Sequence, residues 1–290
     1  MRRPVSYLMI AVLALVAGCG DDKPSGAPTA TPAPLAKAPD PAPAPKADEE
    51  APVPAAKPME ISWKPTEPDA KPYDPKKATA TVSGKATFKG DAIPKRKKLD
   101  MSKDDKCQNP AARTEEEIVD KETKGIQNVF VFVKSGHEKQ KFEKPATSVQ
   151  INQEGCVYKP HVFGMMPGQT IDILNSDDTT HNIHALPSKS KEFNFTQNKK
   201  GDKRTETIEN AEFPVKIKCD IHPWMGAWVF VLPHTLHGVS DDKGKFALPA
   251  LEPGDYEIGA WHETYGEAAA QKVSVKDGDQ KEIEFVFEKK

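Results

Sequence analysis

The chain has 290 residues, room for one large domain or two ordinary ones, and its 37% hydrophobic share lies below the usual ~45–50%. Fifteen of the 27 prolines fall between Gly20 and Pro75, so the shortfall belongs to one segment and not to the whole protein. With 41 basic against 43 acidic residues, no phosphate-binding glycine loop and no long apolar run past residue 16, the sequence excludes a nucleotide enzyme, a nucleic-acid binder and a polytopic membrane protein.

In chain order, the first element is an address. Arg2 and Arg3 precede an apolar stretch, Tyr7 to Val16, of signal-peptide length and too short to span a bilayer. It ends Leu15-Val16-Ala17-Gly18-Cys19, which resembles the lipobox of bacterial lipoproteins. That resemblance implies a signal peptide over 1–19, cleavage before Cys19 and lipidation of its thiol. The mature chain is then exported to the cell envelope or periplasm, anchored to the inner or outer membrane. Residues 20–77, rich in Pro, Ala and Lys, cannot bury enough apolar surface to offset their ordering entropy, and read as a disordered tether. Trp63 and Tyr73 read as solvated linker residues.

From Ala78 the texture changes to short alternating runs broken by Gly, Pro, Asn and Asp. The runs predict strands over Thr79–Lys89, Asn128–Lys134, Thr170–Leu174, Pro214–Cys219, Ala227–Leu232, Lys245–Leu248, Tyr256–Trp261, Gln271–Val275 and Glu282–Phe287. Glu115–Glu122 is read as an irregular strand. The fold class is therefore all-β, a sandwich or barrel. Two strands are apolar on both faces: Val129, Val131 and Val133 oppose Phe130 and Phe132, while Val229 and Val231 oppose Trp228, Phe230 and Leu232. A sheet wetted on one side would alternate, so a second layer has to cover these, and the C-terminal strands are the candidate.

The chemistry concentrates in Cys219-Asp220-Ile221-His222-Pro223-Trp224-Met225, a loop between two predicted strands that presents a thiol, an imidazole and a thioether. Upstream, Thr179-Thr180-His181-Asn182-Ile183-His184 follows the strand Thr170–Leu174 and a polar turn. Two histidines and a cysteine with a weak axial methionine are the donor set of blue copper, where soft sulfur suits Cu(I) and imidazole suits both oxidation states. Either His181 or His184 could in principle reach the same metal. Zinc on Cys156, His161, Cys219 and His222, and a cysteine nucleophile with a histidine base, are the competing readings of these residues.

Cys-x-x-His-Pro-aromatic-Met with His-Asn upstream resembles the type 1 copper motif of cupredoxins of the plastocyanin, amicyanin and pseudoazurin kind. The resemblance implies one type 1 copper ion held by His181, Cys219, His222 and Met225. It makes Asn182 the residue that ties the two ligand loops, and gives His222 a solvent-facing edge as the electron portal beside Trp224. His184 and His161 are then neighbours of the ligands, with His161 the fallback ligand. If Cys219 binds copper and Cys19 carries lipid, Cys107 and Cys156 remain to form a disulfide across about 50 residues, worth ~3–4 kcal/mol.

The C-terminal turns and strands, Val239-Ser240-Asp241-Asp242-Lys243-Gly244-Lys245-Phe246 and Leu251-Glu252-Pro253-Gly254-Asp255-Tyr256, resemble the carboxypeptidase regulatory-like (transthyretin-like) β-sandwich. The expected architecture is a cupredoxin-like Greek-key sandwich over 125–232, packed on a smaller transthyretin- or Ig-like sandwich over 233–290. Residues 78–124 would complete the smaller one. The expected role is a non-enzymatic periplasmic electron carrier serving a redox partner such as a c-type cytochrome or a dehydrogenase. Copper storage or delivery, and a structural envelope role, are the alternatives.

Overall fold

Val215 and Ile217 are buried while Lys216 and Lys218 are half-buried, the period-two pattern of a strand with one wet face. In the computed structural model, which describes residues 66–289, they lie on the strand Glu212–Lys218. The pattern recurs throughout. Among the described residues every regular element is a strand except one 3-10 turn at Asp105–Cys107, so the protein is all-β. All nine expected strands form, with ends within two residues of expectation, and Glu115–Glu122 is irregular, with a single bridge from Val119 to Ile126. The signal peptide, Cys19, Trp63 and the tether up to residue 65 lie outside the described residues.

The strands build two sandwiches, and one is inserted into the other. The frame lobe has a sheet in which Phe130–Ser135 lies between His237–Val239 and Gly254–His262, with Gly266–Glu267 and Gln271–Val275 on the far side of Gly254–His262. Its second sheet places Thr81–Lys89 between Lys245–Ala247 and a parallel partner, Gln280–Glu288. Between Phe130–Ser135 and His237–Val239 the chain leaves to build the inserted lobe. Those two strands are hydrogen-bonded neighbours, Phe132 opposite His237, so exit and re-entry sit side by side, the arrangement in which an insertion disturbs its host least.

The inserted lobe has a five-stranded sheet in the order Phe193–Gln197, His181–Leu186, Glu212–Lys218, Gly226–Val231, Val162–Met165, the last pair parallel. Its second sheet runs Lys203–Thr207, Thr170–Asn175, Val149–Gln153, Tyr158–Lys159. Each lobe has its own core, Val82, Ile126, Val131 and Phe285 in the frame, and Ile151, Ile173, Ile183 and Val229 in the insert. A third apolar cluster joins them: Phe130 and Phe132 of the frame meet Phe213, Trp228, Phe230 and Leu232 of the insert, with Trp261 behind. Phe130 stacks on Phe230 at 3.9 Å between centroids. The two doubly apolar strands thus cover one another, each burying one face in its own lobe and the other in the joint. At Gly164 a Cβ would meet the His237 ring at 2.5 Å, so that ring packs on the Gly164 backbone in the space a side chain would fill.

Three boundaries differ from expectation. The Asn128–Lys134 strand, assigned to the copper domain, belongs to the frame, because Val129, Val131 and Val133 pack in the frame core. Residues 97–114, assigned to the frame, instead cap the insert and bury Met101, Cys107 and Ala112 in its core. The tether does not run to residue 77. Lys71–Pro72 pairs with Gln140–Lys141, and Tyr73 stacks on Phe142 at 4.8 Å and donates its hydroxyl to the Ala250 carbonyl. Tyr73 finds these partners far along the chain, where no local pattern announces them.

Candidate metal centre

Cys219 ends the strand Glu212–Lys218, and the next strand starts at Gly226. The loop between closes on itself: Cys219 N–H donates to the Met225 carbonyl at 3.2 Å and Met225 N–H to the His222 carbonyl at 2.9 Å. Backbone N–H groups of His222 and Asn182 point at Cys219 Sγ from 3.3 and 3.4 Å. Asn182 also accepts the Asp220 N–H on its side-chain oxygen at 3.0 Å, tying the His181 strand to the cysteine loop. Burial pushes the Cys219 thiol up, but the adjoining rings of His181 and His222 and the two backbone N–H groups outweigh it and bring its pKa to about 6. The nearby Tyr158 hydroxyl donates to the Asn182 carbonyl; burial first, and then the Cys219 charge, keep it protonated well past its ordinary range.

The Nδ1 atoms of His181 and His222 face each other at 3.0 Å, and Cys219 Sγ lies 3.9 Å from His222 Nδ1. The outer nitrogen of each ring meets a carboxylate: His181 Nε2 donates to Asp177 at 2.9 Å, and His222 Nε2 to Asp104 at 2.9 Å. An ionised carboxylate only accepts, so each Nε2 carries the proton and each neutral ring turns a lone pair inward. Asp177 is itself held by the N–H groups of Gly155 and Cys156, both at 2.8 Å. The centre therefore collects two lone pairs and a thiolate in a buried space, and needs a positive charge there. A proton on one facing nitrogen meets that need in part. His181 is raised above its ordinary value on this account, burial opposing and Asp177 and Cys219 prevailing. A metal cation would meet it in full. The three donor atoms lie within 4.8 Å of one another, separations an ion about 2.0 Å from nitrogen and about 2.3 Å from sulfur can bridge. Met225 lines the same core, 1% exposed.

The other expected residues divide. Trp224 packs its ring 5.0 Å from that of His222 and donates its indole N–H to the Cys156 carbonyl. Cys107 and Cys156 form a disulfide. His184 lies one face away from His181 on the same strand, bonded to Asp220 and Glu192. His161 is engaged by the Gly226 carbonyl and, across the lobe joint, by Glu263, so neither ring is among the converging donors. His222 has no solvent-facing edge: it is 2% exposed, because the cap lays Asp104 and the disulfide over it, with Cys107 Sγ 3.7 Å from Nε2. Sequence reasoning missed Asp104, Asp177 and Tyr158. Asp177 carried a signal, four residues before His181 in the polar turn, whereas Asp104 is 118 residues from His222.

No known family model matches the chain, and neither does any curated protein. Solved structures similar to it include a purple cupredoxin from Nitrosopumilus maritimus, 26% identical over 29% of this chain and 100% of that one, with a TM-score of 0.26. A mutant of amicyanin in its Cu(I) form is 20% identical over 31% of this chain and 87% of its own, at 0.27. A copper-containing nitrite reductase from Thermus scotoductus SA-01 is 18% identical over 31% of this chain and 25% of its own, at 0.28.

Proposed function

We propose that the inserted lobe holds one copper ion on His181, Cys219 and His222, with Met225 as the axial donor, and that the protein is a non-enzymatic electron carrier. The observation that carries this reading is the inward convergence of two imidazole lone pairs and a thiolate, each ring fixed from behind by a carboxylate. Copper bound there supplies a one-electron couple. The chain's own part is to keep the geometry constant while charge changes: Asn182 and His222 N–H groups draw charge from the sulfur, Asn182 locks the two loops, and the buried core excludes water. Zinc on Cys156 and His161 does not suit this arrangement, since Cys156 is in a disulfide and His161 faces Glu263.

The leader and Cys19 support export and lipid anchoring in the cell envelope or periplasm, with the proline-rich segment as tether. The partner in this reading is a periplasmic cytochrome or dehydrogenase, and the frame lobe is a transthyretin-like packing module without chemistry of its own. Copper storage or delivery is the second reading, favoured by one observation, the burial of His222. Loading the protein with copper tests the proposal: one ion per chain and an intense thiolate-to-copper band in the visible are expected, and Cys219→Ser should abolish the band. A colourless protein after loading, with Cys219 still reactive to alkylation, overturns it. Reversible oxidation and reduction by a c-type cytochrome separates carrier from store.

A further inference from the structure

The cap, residues 97–114, is not a strand of either sandwich, yet it supplies the last group around the centre. Its conformation is set before it meets His222. Asp104 begins the 3-10 turn Asp105–Cys107, its Oδ1 accepting the Lys106 N–H at 2.8 Å, while the Asp104 backbone N–H donates to the Met101 carbonyl at 3.2 Å. Gln108 donates its side-chain amide to the Asp104 carbonyl at 3.0 Å. The other carboxylate oxygen is left to accept from His222 Nε2 and from the Thr179 hydroxyl, both at 2.9 Å. The Cys107–Cys156 disulfide pins the same turn to the insert.

We infer that Asp104 is a positioning residue for the centre: arriving from outside the sandwich, it holds the outer proton of His222, closes that ring from solvent and so governs how firmly copper is kept and at what potential. The inference rests on the copper reading above. Its physical basis is threefold. Holding the Nε2 proton leaves only Nδ1 free to donate inward. A fixed negative charge one ring away favours the more positive, oxidised centre, and burial weakens the screening of that charge. Release of the metal requires His222 to swing outward, and Asp104 with the disulfide behind it occupies that path.

The test uses the full copper-loaded protein and its Asp104→Ala, Asp104→Asn and Thr179→Val variants. Midpoint potential is followed by the visible band, and copper loss by transfer to excess bicinchoninate. Loss of a partner behind a metal-bound histidine typically costs 10–100-fold in metal affinity. Asp104→Ala should accordingly give up copper 10–100-fold faster and show a higher potential. Asp104→Asn, which keeps an acceptor but loses the charge, should raise the potential while releasing copper within a few-fold of wild type. Thr179→Val, which removes the hydroxyl donor that steadies Asp104, should speed copper transfer in the same direction by less. If the alanine variant fails to fold, the other two still decide. Unchanged potential in Asp104→Asn together with unchanged transfer in Thr179→Val, in a wild type that holds one copper and shows the band, overturns the inference and leaves the copper reading standing. A wild type that takes up no copper overturns both.

Discussion

His262 in the frame and His181 in the insert are both 0% exposed, yet burial has opposite consequences for them. His262 stacks on Tyr265 at 4.7 Å and accepts the Thr264 N–H, and desolvation pushes its pKa down to about 4. His181 is desolvated too, but Asp177 and Cys219 raise it. Burial alone makes a histidine a neutral packing group. Burial with a carboxylate on one nitrogen and a thiolate near the other makes it a group that seeks a cation. The same division separates the lobes, one a scaffold and the other a site, joined by an aromatic layer that belongs to both.

That comparison can be broken at the joint. A chain ending at Pro233 removes six frame strands, strips the frame core from Val129, Val131 and Val133 and takes Trp261 from the joint, leaving an apolar patch soluble proteins rarely tolerate. It should aggregate, as judged by size-exclusion chromatography and light scattering. A soluble, monomeric truncation as stable as the parent would show that the lobes do not depend on each other. A subtler cut is Phe230→Ala. It empties the stack on Phe130 and should cost ~3–5 kcal/mol in denaturant unfolding while leaving the copper band of the folded protein in place.

Acid sharpens the contrast between the histidines. The unfolded chain protonates His262 near the ordinary 6.5, the folded chain only near 4, so the unfolded state binds more protons across that window. Stability should therefore fall as pH drops from about 6.5 towards 4 and flatten below, with His262 contributing a loss of ~2 kcal/mol at pH 5 at 1.36 kcal/mol per unit. Melting curves of His262→Phe should be less steep in pH over that range; an identical slope would remove His262 from the account. The smallest effect on the fold is expected from Met225→Leu. It should keep copper and stability within about 1 kcal/mol, since the exchange nearly conserves volume, but shift the midpoint potential.

Much of this was legible locally because the signals are local. The alternation at Val215, Lys216, Ile217 and Lys218 announced its strand. The loop from Cys219 to Met225 places three donor types within seven residues, and Asp177 stands one helical turn's spacing from His181 in the sequence. The two-faced apolar strands at Phe130 and Trp228 required a covering layer. Strands such as Phe193–Gln197 and Lys203–Thr207 escaped notice because they are edge strands with few buried residues, so they carry little apolar alternation.

What the residues alone determined about this protein is its all-β class, the donor set and the need for two layers, because each rests on neighbours within a few positions. Only the tertiary structure decided that one sandwich is inserted in the other. Pairing of Phe130–Ser135 with His237–Val239 spans about a hundred residues, and its register leaves no local trace. Only the fold, likewise, decided that His222 is covered. Asp104 sits in a charged run whose composition reads as solvated surface, and it becomes part of the centre because the disulfide and the buried Met101 carry its turn across the insert.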